Sequence, residues 1–110
     1  DVTRLPGSPG WILGLLNLRG TVLTVTDLAV RLGLEPRGTG TVVVIESEGR
    51  ALGVRVDAVR KVATAAQATL EPVDKVRAAE GLVAGMVRMA DGPAALIDAT
   101  ALCRTVLATA

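Results

Sequence analysis

The chain has 110 residues, 12 basic and 11 acidic, a formal charge of +1, and an apolar half. It has no His, one Cys, and Trp11 as its single aromatic residue. This excludes imidazole metal sites, Ser-His and Cys-His nucleophile pairs and an internal disulfide. It also disfavours nucleic-acid binding, which needs a basic stripe or aromatic platforms.

The length suits a single domain over 1–110 with a conventional core. No low-complexity segment or internal repeat is evident, no signal peptide is visible, and no apolar run is long enough to span a membrane. The first residue is Asp1 rather than Met, which points to sequence upstream.

In chain order, residues 1–10 are rich in Pro and Gly and read as a loop. Residues 11–16 form an apolar run that predicts a buried strand. Asn17-Leu18-Arg19-Gly20 follows, with Gly20 at a turn or bulge needing positive φ. Residues 22–26, rich in β-branched side chains, predict a second strand. Asp27 is placed to cap a short helix over 28–32, with Leu28 and Leu32 toward the core and Gly33 as its stop. Residues 36–40 read as a loop and 41–45 as a strand apolar on both faces.

Residues 46–49 predict a hairpin connection. Residues 50–57 then alternate, with Leu52, Val54 and Val56 inward and Gly53, Arg55 and Asp57 outward. The stretch from Val59 to Ala68 has no clear pattern. Residues 82–89 predict a strand, 90–92 a turn and 93–97 its antiparallel return. Asp98 caps a last helix with Ala99, Leu102, Cys103 and Val106 on one face. Many short strands with turn signals indicate a small β-barrel or sandwich.

Little here is catalytic. Cys103 lies on an apolar helix face and reads as a packing thiol. Glu46, Glu48 and Asp91 read as solvated, and no phosphate-cradling glycine motif occurs. Asn17 and Arg19 interrupt an apolar strand. Arg19 either pairs internally, with Asp27 or Asp57, or presents a forked donor to a protein partner.

Residues 2–6, Pro9, Gly14, Asn17-Leu18-Arg19-Gly20 and Asp27-Leu28 also share one order and spacing. In this they resemble the CheW family of chemotaxis adaptors, with its G-x-x-N-L-R-G segment followed by a strand and Asp-Leu. Trp11 fills the family's usual aromatic position. Thr24 stands where the family often has Pro, a tolerable swap in an edge strand.

The resemblance implies a mainly β fold of two five-stranded Src-homology-3-like barrels, here lacking the family's first strands. It implies a cytoplasmic, non-enzymatic scaffold without cofactor or metal. Such a scaffold couples the tip of methyl-accepting chemoreceptors to the regulatory domain of a CheA-type histidine kinase. The implied partner-binding residues are Gly14, Asn17, Leu18, Arg19, Gly20 and, on the strand lining the groove, Val43. The alternatives are a regulatory domain excised from a larger signalling protein and a module that self-associates through an exposed sheet edge.

Overall fold

The computed structural model describes residues 2–3, 7, 9–62, 70–71, 81–90 and 92–109. The chain divides into two compact units, Asp1–Val59 with Cys103–Ala110, and Arg60–Leu102.

The first unit is built on a five-stranded sheet. Its strands are β1 (Val2–Thr3), β2 (Ile12–Leu18), β3 (Thr21–Asp27), β4 (Thr41–Ser47) and β5 (Arg50–Val56), in the order β1-β2-β3-β5-β4. All neighbours are antiparallel except β3 and β5, which run parallel, with Val25 beside Gly53 and Asp27 beside Arg55. The chain between β3 and β5 carries helix α1 (Leu28–Arg31) and β4. Ile12, Leu23, Val25, Leu52 and Val54 are buried, joined by Cys103 and Val106 of helix α2 (Ala99–Thr109). Burying a side chain such as Leu52 stabilises by roughly 1.5–3 kcal/mol.

Several expectations change here. Val2 and Thr3 pair with Leu16 and Leu15, so the Pro/Gly-rich start includes a strand. β3 lies inside the sheet, but its pairing with β5 covers only Val25–Asp27, so Thr24 pairs with Leu15 of β2 alone. Leu28 and Leu32 are only half-buried, because α1 is a single turn. Arg55, read as outward, is buried at 6 % exposure together with Gly53. β5 is covered on both faces, so its alternation does not separate core from solvent.

The second unit holds the strands β6 (Leu70–Glu71), β7 (Val83–Met89) and β8 (Gly92–Ile97), in sheet order. Leu82, Val87 and Leu102 are buried. Asp98 caps α2 by accepting the Ala101 N–H at 3.0 Å. Among the described residues neither sheet closes into a barrel, and the second has three strands rather than five. Residues 59–62 are exposed; residues 63–68 of the unassigned stretch, and Asp91, lie outside the described residues.

The two units share a repeat that the sequence did not reveal. Ile12↔Thr26, Gly14↔Val25 and Leu18↔Thr21 in β2–β3 recur 71 positions later as Val83↔Ile97, Gly85↔Leu96 and Met89↔Gly92 in β7–β8. The ladder is irregular at the same place in both, between Ile12 and Gly14 and between Val83 and Gly85. The Asp27 N–H donates to the Trp11 carbonyl at 2.8 Å, and that of Asp98 to Leu82 at 2.7 Å. Both aspartates then cap a helix.

Candidate docking site

The Asn17–Gly20 segment forms the tip of the β2–β3 hairpin. Leu18 pairs with Thr21, leaving Arg19 and Gly20 as a two-residue turn with φ of 53° and 83°. Two successive positive φ values define the turn that matches strand twist, and Asn-Gly is its favoured sequence. Gly20 meets this demand without strain, whereas the Arg19 side chain does not. The Asn17 Oδ1 accepts the Gly20 N–H at 3.0 Å and fastens the turn from inside. Arg19 has no hydrogen bond or ion pair among the described residues and stands in solvent. Leu18 and Val22 flank it at 43 % and 59 % exposure. A cation in a strained turn between two exposed aliphatic side chains is suited to docking, since no fold requirement explains it.

The carboxylates that sequence reasoning offered to Arg19 belong to Arg55. Its Nη1 lies 2.7 Å from Asp57 Oδ1 and 3.7 Å from Asp27 Oδ1. Its Nη2 donates to the carbonyls of Arg37 and Gly38 at 2.7 and 2.8 Å, and its Nε to that of Thr39 at 3.4 Å. The Asp57 Oδ1 also accepts the Arg37 N–H at 2.9 Å. That hydrogen bond first, and the one from Arg55 second, hold the Asp57 carboxyl below its ordinary value. Gly40 packs against this guanidinium at φ 81°; a Cβ there would collide with Arg55 Nε. One buried arginine thus fixes the loop of residues 37–40 to the sheet, and Asp27 caps α1 by accepting the Val30 N–H at 3.3 Å.

The CheW-like domain model matches residues 1–106. The chain belongs to the CheW-like domain family. It is 35 % identical over 77 residues to a probable chemotaxis protein CheW of Rhizobium etli, and 34 % to the chemotaxis protein CheW of Rhizobium meliloti. Each match covers 67 % of this chain and 50 % of the relative, so the chain spans about half the length of these relatives. The crystal structure of the scaffolding protein TtCheW from Thermoanaerobacter tengcongensis superposes with a TM-score of 0.76 at 29 % identity. That superposition covers 93 % of this chain and 73 % of the other.

In this CheW-like domain, Asn17, Leu18, Arg19 and Gly20 come together at one tip. Gly14 lies within β2, buried at the ladder irregularity. Val43 sits on β4, opposite Val54 and separated from β2 in the sheet by β3 and β5. At about 4.8 Å per strand spacing, that is roughly 14 Å from β2 along the sheet. The structure therefore does not join Val43 to the tip. Val22 was missed as a tip residue, although its pairing with Asn17 across the turn follows from a two-residue hairpin. Trp11 packs under the Arg31 guanidinium, 5.3 Å from ring centroid to Cζ.

Among the described residues no group of three or more His, Cys, Asp or Glu is placed to hold a metal. No helix there is long and apolar enough to cross a membrane. Cys103 is buried, and burial pushes its thiol pKa up, away from the reactive thiolate.

Proposed function

We propose that this chain is a cytoplasmic, non-enzymatic adaptor of chemotaxis-type signalling. In this reading it couples methyl-accepting chemoreceptor tips to the regulatory domain of a CheA-type histidine kinase at membrane-associated arrays, using no cofactor. The two units act together as one domain of two Src-homology-3-like barrels, as the family resemblance implies. Membership of the family supports this reading. The observation that carries it is Arg19, an exposed cation kept in a left-handed turn where Asn would fold better.

Isothermal titration with the regulatory domain of a CheA-type kinase from the same genome tests it. The expected result is saturable one-to-one binding, weakened about tenfold by Arg19→Glu. A folded protein that binds nothing at micromolar concentrations contradicts the reading.

One observation favours self-association as a second reading. Among the described residues the outer edge of β4 is unpaired, over seven residues without Pro or Lys, the usual guards of an edge. Light scattering that shows mass rising with concentration supports it; a constant monomer mass removes it.

A further inference from the structure

The Glu48-Gly49 turn between β4 and β5 repeats the geometry of Arg19-Gly20. Ser47 pairs with Arg50, and the two turn residues have φ of 55° and 73°. Arg19-Gly20 immediately precedes β3, Glu48-Gly49 immediately precedes β5, and these two strands run parallel. Both turns therefore stand at one end of the sheet. Val25 lies beside Gly53, and three residues earlier on each strand are Val22 and Arg50. Residues at the same level of adjacent strands share a face, so Asn17, Val22, Arg50 and Ser47 form a row across this end, with about 4.8 Å between strands. Val22 is 59 % exposed. Arg50 is exposed too, and like Arg19 it has no hydrogen bond or ion pair among the described residues.

The nearby carboxylates are committed elsewhere or turned away. Glu48 is held by Arg104, which donates one hydrogen bond to each carboxylate oxygen, at 2.6 and 2.7 Å. Arg50 adds its charge nearby and helps to lower the Glu48 pKa. Glu46 pairs with Ala51 and projects from the face opposite to Arg50. An exposed aliphatic side chain thus stands between two exposed guanidiniums. A partner that covers Val22 takes both of them partly out of water, and a neutral or basic partner would leave them there without a counter-charge. We propose that the surface docking the kinase regulatory domain continues from the Arg19 turn over Val22 to Arg50, and that it takes an apolar side chain flanked by carboxylates. The apolar group seats on Val22, one carboxylate faces Arg19, and another faces Arg50. The inference deepens the adaptor reading and rests on it.

The test is isothermal titration of the full chain with the regulatory domain of a CheA-type kinase, at low and moderate salt. Wild-type affinity is expected to fall with salt. Val22→Ser is expected to weaken binding about fivefold and Arg50→Glu about tenfold or more, with Arg50→Gln between wild type and Arg50→Glu. Arg50→Gln is also expected to show a shallower salt dependence. Glu46→Gln, on the other face, is expected to bind as the wild type does. Val22, Arg50 and Glu46 are all exposed, and matched thermal unfolding checks that each variant is folded. Wild-type binding that is indifferent to Val22→Ser, or to both Arg50 variants, overturns the proposal and leaves the adaptor reading standing. So does a loss in Glu46→Gln equal to that in Arg50→Glu, or tighter binding by Arg50→Glu, which would mean a basic partner face. If the folded wild-type protein binds nothing at micromolar concentrations, the adaptor reading fails and the proposal with it.

Discussion

Arg55→Met leaves the Asp27 carboxylate in the sheet interior without the guanidinium that faces it, and leaves three loop carbonyls without their donor. Removing one member of a buried pair costs about 3–5 kcal/mol. Urea unfolding of this variant is expected to show a loss of that size; a loss below about 1 kcal/mol would mean the loop is fixed by other contacts. Arg19→Glu, on the exposed turn, is expected to change stability by no more than about 0.5 kcal/mol. An internal ion pair with Asp27 or Asp57 was one of the two readings the sequence left open for Arg19. That pair exists but is made by Arg55, which strict alternation in β5 put outside. Nothing local in the sequence tells that β5 is covered on both faces; the loop of residues 37–40 covers the Arg55 side, and that contact is nonlocal.

At the scale of elements, Gly53 of β5 pairs with Val25 of β3 on one side and Val44 of β4 on the other. A Cβ there would lie 3.1 Å from Val25 Cγ2 and 3.2 Å from Val42 Cγ1. Gly53→Ala is expected to cost roughly 1–3 kcal/mol, as overpacking does, and Leu52→Ala roughly 2–5 kcal/mol. Equilibrium unfolding measures both; a neutral Leu52→Ala would mean that β5 is wrongly oriented. Helix α2 is tied to the β4–β5 turn by Arg104, whose Nε and Nη2 donate to the Glu48 carboxylate at 2.6 and 2.7 Å. This lowers the Glu48 pKa from its ordinary 4.5, as Arg37 and Arg55 lower that of Asp57 from 3.8.

A carboxyl whose folded pKa is depressed contributes stability above its unfolded value and loses that contribution as pH falls through the folded value. Urea midpoints are therefore expected to be level near neutral pH and to fall below about pH 4.5. Asp57→Asn should flatten part of that fall. An unchanged slope would show that the Asp57 contacts are not formed in solution. The strand runs, both capping aspartates and the hairpin turns were legible from β-branched runs, Asp before a helix and Gly after a charged residue. The strand at Val2–Thr3 was not, because two residues amid Pro and Gly carry no periodicity.

For the molecule as a whole, the family frame was legible because Asn17-Leu18-Arg19-Gly20 and Asp27-Leu28 fix a hairpin tip and a helix cap at set spacing. The repeat was hidden. Between residues 12–27 and 83–98 only Gly14/Gly85 and Asp27/Asp98 are identical. The two aspartates cap helices and Gly14 takes a φ of 144° at the ladder irregularity, while the core positions need only be apolar in the right places. The distance of Val43 from the tip was hidden for a related reason: strand order, which places β5 between β3 and β4, is absent from local pattern.

The central claim is that Arg19 occupies its turn for the sake of a partner and at some expense to the fold. Arg19→Asn tests it most directly, in one calorimetric titration against the kinase regulatory domain paired with thermal unfolding. Asn relieves the left-handed backbone, so stability should rise by up to about 1 kcal/mol, while affinity should fall about tenfold. A variant that binds as tightly as the wild type, or that loses stability, would show that Arg19 serves the turn and does not dock.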